Sequence, residues 1–451
     1  MRGAEGQCVR TRDVLAMLPR GFRGGIDQRS RRPHALSFCY GRSLACVALL
    51  LLASCYDPMI PRASTATLDD SGSDGFVQVS AGKEHTCAVT AAGTAYCWGS
   101  NEFGQLGAAS DTVKCMREDR PIECRRAPVA VATTLSFRLI RAGGAHTCAL
   151  ATDGRVYCWG DNLRGALGDP AVRTSAAPNP VVSSETFVDL SVGGNHSCAL
   201  RGDGAAFCWG SNLDGQLGIA TVGAGAAVPT QTQTSQRFVS LAAGERRTCA
   251  RLGDGTPFCW GAIWVTRQNG VEVTRSQGLP LRLVGAPVFA AIAVGSHTTC
   301  GVTPDDRAFC WEANPTGSMG DGSRTGSTIP KLVNTSLRFV RISVGAFHSC
   351  AIGEDGFAYC WGSDASGQLG VSPASLDGRC GAPAAAGTSC AVTPIRVMGR
   401  RIYSEITAGQ GDHTCALTLA GNIYCWGAGA LGQRGDGRTT NEWSPTKTRS
   451  P

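Results

Sequence analysis

Residues 81–107 read AGKEHTCAVTAAGTAYCWGSNEFGQLG, and residues 193–218 read GGNHSCALRGDGAAFCWGSNLDGQLG. Both carry a His-Thr/Ser-Cys step, a second cysteine ten positions on, a tryptophan directly after it and a closing Gly-Gln-Leu-Gly. The cysteine pair recurs along the chain as Cys87/Cys97, Cys148/Cys158, Cys198/Cys208, Cys249/Cys259, Cys300/Cys310, Cys350/Cys360 and Cys415/Cys425. The tryptophan follows each time, as Trp98, Trp159, Trp209, Trp260, Trp311, Trp361 and Trp426. A fixed period of this size means one structural unit copied and packed against itself. Residues present in every copy therefore read as scaffold.

Measured between first cysteines, the steps are 61, 50, 51, 51, 50 and 65 residues. The two long steps hold the extra pairs Cys115/Cys124 and Cys380/Cys390, within CMREDRPIEC (115–124) and CGAPAAAGTSC (380–390). The unit is thus about 50 residues long, with two stapled loop insertions. Each copy has four strand-like pieces. Three appear in the second copy as FRLIRAG (137–143), HTCALAT (146–152) and RVYCWG (155–160), and the fourth in the first copy as PVAVATT (128–134). Short alternating runs broken by Asp-Gly are strand-and-turn chemistry. A tight turn near Asp153 sets Cys148 opposite Cys158, with the Cα separation of about 4.5–5.5 Å that a disulfide accepts. Seven four-stranded units bury their faces best by closing, since an open stack needs atypical caps. The expected fold is a seven-bladed β-propeller over residues 76–451. Its last strand piece, at Trp443–Thr448, is expected to fall beside FVQVSAG (76–82) and close the ring.

The pattern AG-xx-HTCAL-xxxG-xxYCWG-xNxxGQLG resembles the repeat of the regulator of chromosome condensation propellers, from Phe76 to the C-terminus. The resemblance implies a ring whose face binds another protein, as in a nuclear guanine-nucleotide exchange factor, a plant light sensor and a secreted bacterial inhibitor of β-lactamases. It is specific for fold and weak for function. Familiar intracellular members lack a cysteine pair in each blade. The fourth copy here has GAIWVTRQNGVEVT (261–274) in place of Gly-Gln-Leu-Gly, and the fifth has Trp311-Glu312 where the others have Trp-Gly. No segment matches the loop by which the exchange factor engages its GTPase.

The leader points to export. An arginine-rich stretch precedes an apolar run from Leu44 to Ala53, too short to span a bilayer but suited to a signal peptide. Leu52-Ala53-Ser54-Cys55 resembles the lipobox of bacterial lipoproteins, which makes residues 1–54 the signal and Cys55 the acylated residue. Residues 55–75 are rich in Ser, Thr, Asp, Gly and Pro and read as a flexible tether. Of 22 cysteines, Cys8, Cys39 and Cys46 leave with the leader and Cys55 takes lipid, so the remaining 18 form nine local pairs. An even, locally paired set in an exported chain reads as disulfides. The net charge of +7 is also a leader effect. Residues 1–55 hold nine Arg against Glu5, Asp13 and Asp27, which leaves about +1 elsewhere and no footprint for nucleic acid.

Chemistry has less support than scaffold. The repeated His85, His146, His196, His348 and His413, with His297 displaced by one and Arg247 in the fourth copy, could in principle join the cysteines around a metal. The spacing lacks a short Cys-x2–4-Cys element, so no metal or cofactor is expected, and the histidines are read as bonding backbone at blade turns. No nucleophile elbow, zincin motif, phosphate loop or calcium loop is present. The chain therefore reads as a non-catalytic, monomeric binding module of the cell envelope, its partner a protein there or outside the cell. It is membrane-held through lipid alone, with the outer membrane or cell surface favoured. The alternative is an exchange-factor-like regulator, and a secreted carbohydrate-active enzyme is a distant third. Specificity should lie in what is not repeated: the two insertions and residues 261–274. Candidate contact residues are Met116, Arg117, Arg120, Arg125, Arg126 and Trp264, with Trp443 also out of register.

Overall fold

The computed structural model describes residues 74–108, 113–268, 271–376, 378–380 and 388–451; side chains within 264–274, 378–380 and residue 388 lie outside that description. Among the described residues, thirty strands form seven antiparallel sheets, five of four strands and two of five. In blade 2 the inner strand Phe137–Ala142 is followed by His146–Ala151, Val156–Asp161 and the outer strand Thr174–Pro180. Blades 1 and 6 each carry one extra strand, Val113–Arg117 and Gly378–Cys380. The expected seven-bladed ring of four-stranded blades is what forms.

One register repeats in every blade. In blades 1 to 3, Cys87 faces Cys97, Cys148 faces Cys158 and Cys198 faces Cys208. In blades 4 to 7, Cys249 faces Cys259, Cys300 faces Cys310, Cys350 faces Cys360 and Cys415 faces Cys425. All seven pairs are bridged, and their Cα atoms stand 4.0–4.1 Å apart. That is closer than the separation of about 4.5–5.5 Å expected from the sequence, because the bridge draws the two strands together beyond an unbridged ladder. The residue after each tryptophan must clear the preceding connection. A Cβ on Gly99 would stand 2.6 Å from the Glu84 carbonyl, and its φ of 104° is one that glycine adopts without penalty.

The core is distributed among the seven clefts between blades. In the first, Leu106, Val131 and the Cys87/Cys97 bridge of blade 1 meet Phe137, Ile140 and Trp159 of blade 2. All seven repeat tryptophans are fully buried in such clefts. Phe137 lies 6.1 Å from Trp159 and crosses Tyr157 edge-on, a geometry that adds to plain area burial.

Ring closure departs from expectation. The outer strand Glu442–Lys447 pairs with Ile423–Gly427 of its own blade, not with Phe76–Ala81. Every blade is contiguous in sequence, and among the described residues no sheet is shared across the ends. Side chains join blade 7 to blade 1 instead. The Val79 amide donates to Glu405 Oε2 at 3.0 Å and the Ala81 amide to Thr407 Oγ1 at 3.1 Å. The same device links blades 1 and 2, where Gln78 accepts from the Ile140 amide and Ser80 from the Ala142 amide. These caps satisfy inner-edge amides that would otherwise be exposed strand edges. Ser450 Oγ donates to Asp74 Oδ1 at 2.7 Å, so the two ends of the ring-forming chain meet.

Candidate protein-binding face

The repeated polar residues are engaged within the scaffold. His85 Nε2 reaches Thr147 Oγ1 of the next blade at 2.8 Å, and the Thr147 hydroxyl donates to the Gln105 carbonyl at 2.8 Å. Trp159 Nε1 donates to that same carbonyl at 2.9 Å. The motif recurs around the ring. His146, His196, His348 and His413 meet Ser197, Thr248, Thr414 and Thr86, and Trp209, Trp260, Trp361 and Trp426 donate to Ala166, Gln216, Ser318 and Gln368. This explains the repeated Gly-Gln-Leu-Gly: it carries the carbonyl that holds the following blade's indole.

The histidines thus bond hydroxyls of the neighbouring blade rather than backbone at a turn. A hydroxyl has one proton, and here it goes to a carbonyl, so each histidine donates from Nε2; the buried Nδ1 of His85, His196, His348 and His413 has no partner among the described residues to take a second proton, so the rings are neutral. Burial pushes His85, His196 and His348 down to about 3 and His146 and His413 to about 4. The cysteines beside them are spoken for as well. Cys97, Cys208, Cys310 and Cys360 are fully buried and Cys259 nearly so, each bridged to its facing partner and offering no thiolate to a metal. Two positions break the belt together. Arg247 replaces the fourth histidine, donates to Thr299 at 3.1 Å and pairs with Glu312, which sits buried at φ 89° where other blades have glycine. In blade 5 Thr298 takes the histidine's place and bonds the Ala313 carbonyl, while His297 swings out to stack on Phe347 with ring centroids 4.6 Å apart.

What is not repeated gathers on one face. The blades share one antiparallel order, so every connection from third to outer strand leaves the same end of the ring. The three irregular segments are all such connections. In blade 1 the insertion is a β-hairpin, Val113–Arg117 against Arg120–Ala130, not a loose loop. Its Cys115–Cys124 bridge is buried beside Ile122 and Leu431 of blade 7. In blade 4 the strands Pro257–Gln268 and Val271–Arg282 run on together past the ring as a long ribbon, paired out to Gln268 and Val271. In blade 6, Gly378–Cys380 pairs with Thr388–Arg396. Cys380 opposes Thr388, two residues short of Cys390, the same offset as Cys115 to Ile122 and Cys124. Cys390 is disulfide-bonded; the Cys380 side chain lies outside the described residues.

The candidate contact residues divide into two groups. Met116 is 51% exposed, and Arg126 is exposed with Nη2 on the Lys114 carbonyl. Arg117 pairs with both Glu84 and Glu102, and Arg120 reaches Glu102 at 2.6 Å, so these two brace the hairpin against blade 1. Arg125 is half-buried in the outer strand. Trp264 stands in the blade 4 ribbon opposite Thr274, its side chain outside the described residues. Trp443 is on the outer strand of blade 7, 36% exposed. Cys55, the signal at 1–54 and the tether before residue 74 also lie outside them. Sequence reasoning missed Leu163, Leu213 and Phe347, exposed apolar side chains on the same face. The signal available was their placement in the Asn-Leu-x-Gly turns and beside the displaced His297.

A seven-bladed ring with its repeated polar groups turned inward and its irregular hairpins on one face is a repeat β-propeller. The chain belongs to the RCC1-like domain family, which it matches over residues 123–450, with regulator of chromosome condensation (RCC1) repeats also matched at 76–105 and 92–150. Among solved structures it is similar to Prp20p from Saccharomyces cerevisiae, whose described binding properties are to Gsp1p and histones. That likeness has a TM-score of 0.67 and 21% identity, covering 83% of this chain and 88% of that one. Human WBSCR16 matches with TM-score 0.64 and 21% identity over 76% of this chain and 87% of that one. Likeness at this identity carries the fold alone. The human probable E3 ubiquitin-protein ligase HERC4 is 34% identical over 93 residues, 21% of this chain and only 8% of that protein.

Proposed function

We propose that this chain is an exported, lipid-tethered propeller that binds a protein partner through the face bearing its three irregular hairpins. The observation that carries the reading is the set of seven buried disulfides, one within each blade, lining the clefts between blades. Thiols placed so consistently to bridge suit an oxidising compartment, which agrees with a leader ending at Cys55. The family's shared use of a ring face for protein binding supports the rest. Residues 1–54 then act as the signal, Cys55 as the acylated anchor and 56–75 as the tether. Because the repeat histidines, cysteines and tryptophans are engaged in the scaffold, they offer no catalytic group. The exchange-factor-like reading draws on the family resemblance, but it needs a cytosolic GTPase to meet an oxidised protein.

Two experiments separate the parts of this proposal. Cys55→Ser should move the protein from the membrane to the soluble envelope fraction, and unchanged fractionation would remove the anchor. Deleting residues 116–123, with Cys115 and Cys124 retained, should weaken capture of an envelope partner by the lipidated protein. Equal capture after deletion of each of the three irregular segments would move the binding surface elsewhere.

A further inference from the structure

The seven inner strands surround an axial cavity of about 240 Å³. Its wall is not uniform. Ser80, Ser191, Ser343 and Thr407 all line it, and each accepts an amide hydrogen from the next blade, at 3.0, 2.8, 2.9 and 3.1 Å. A hydroxyl whose oxygen is held by an amide still has its own O–H to give. None of these four protons has an acceptor among the described residues. At the same level blade 2 carries Arg141, whose Nε donates to the Leu190 carbonyl at 3.3 Å and leaves both Nη groups without a hydrogen bond among the described residues. Blades 4 and 5 have only Ala242 and Ala293 there, and their small side chains leave the room.

We propose that this cavity is a binding site for a small oxyanion, a carboxylate or phosphate group held by the Arg141 guanidinium and the converging hydroxyls. Donors on a fixed wall around a guanidinium suit an anion with several acceptor oxygens. A cavity of ~150 Å³ takes benzene, so this one has room for a solute of roughly ten non-hydrogen atoms. Inorganic phosphate and a small dicarboxylate both fit within that limit.

Glu405 shares the wall and sets a pH dependence. Its Oε2 accepts from the Val79 amide, and burial raises its carboxyl to about 7 against the opposing pull of Arg141 from blade 2 and Arg341 from blade 6. Above that pH the carboxylate repels an anion; below it the protonated group adds a donor. Binding should therefore tighten as pH falls through 7.

The test is calorimetric titration of the intact, oxidised propeller with inorganic phosphate and with succinate, at pH 6 and pH 8. A single saturable site is expected, about tenfold tighter at pH 6 for succinate, since one proton, that of Glu405, is coupled to its binding; phosphate takes up a proton of its own in this window, so the pH profile is read from succinate. Arg141→Gln should weaken it tenfold or more, roughly the value of a charge-assisted bond. Glu405→Gln keeps an acceptor for the Val79 amide and should bind at pH 8 as the parent does at pH 6, with a flat pH profile. Near-ultraviolet circular dichroism checks that each variant folds. Binding of phosphate alone, succinate alone or both identifies the source of the anion. No saturable binding of either, or a Glu405→Gln variant no tighter than the parent at pH 8, overturns the proposal whatever becomes of Arg141→Gln.

Discussion

Thr147 shows how much one hydroxyl carries. It receives the His85 proton, donates to the Gln105 carbonyl and so fixes the acceptor that Trp159 also uses. Thr147→Val keeps the shape but leaves a buried histidine N–H unpaired, which costs about 1–3 kcal/mol. Denaturant titration should show that loss for valine and recover most of it in Thr147→Ser; equal stability of the two would mean the belt adds nothing. The belt also makes the fold acid-sensitive. Five neutral histidines have pKa values below the ordinary 6.5, so the unfolded chain binds their protons first. Stability is complete above pH 6.5 and falls toward pH 4, by roughly 1.4 kcal/mol per histidine per pH unit. Glu405 and Asp364, raised by burial to about 7 and about 6, act the other way over the same range. Asp306 and Asp412 are raised by burial as well, so five histidines stand against four carboxyls; the histidines still prevail, and melting temperature should drop between pH 7 and pH 5. A flat profile would contradict the neutral-belt geometry.

Between elements, the junction of blades 4 and 5 is the place to test whether two departures compensate. Arg247 and Glu312 are both buried, and each would be an uncompensated charge without the other. Arg247→Ala should therefore cost about 3–5 kcal/mol, while Arg247→His with Glu312→Gly restores the motif of the other blades and should cost far less. Additive effects in that double-mutant cycle would show the two are independent. The sequence displayed both departures, but not that they touch, because they stand 65 positions apart and on different strands. Cysteine pairing and tryptophan burial were legible, since register and period are local quantities. The histidine's partner was not, because a hydroxyl on the next blade has no mark in the repeat that contains the histidine. The first insertion likewise read as a loop, although Val113–Arg117 and Arg120–Ala130 complete a ladder. The partners of Arg117 and Arg120, Glu84 and Glu102, were not legible either, because they stand in other connections of blade 1.

For the whole ring, two outcomes follow from how it is joined. Full reduction removes a staple from every cleft, each closing 11 residues and nominally stabilising by about 2.8 kcal/mol before allowance for the hairpin. The melting transition should fall steeply with reductant, and an unchanged transition would mean the bridges are incidental. Contiguous blades and adjoining ends also make the ring tolerant of new ends. A circular permutant that joins Ser450 to Asp74 and opens at residues 334–336, between blades 5 and 6, should fold to the same sheet content. Loss of folding on that cut would reveal a dependence on the native order that the geometry does not require.

The bridges have a consequence for how the molecule is made. Each described pair joins cysteines nine or ten residues apart, and no pair encloses another. As the chain emerges from its N-terminal end, a cysteine therefore meets its correct mate within the next few residues to arrive, before any later thiol can compete. Nearest-neighbour oxidation in order of emergence is already the native arrangement, so a simple oxidant suffices where a nested framework would call for an isomerase to undo early errors.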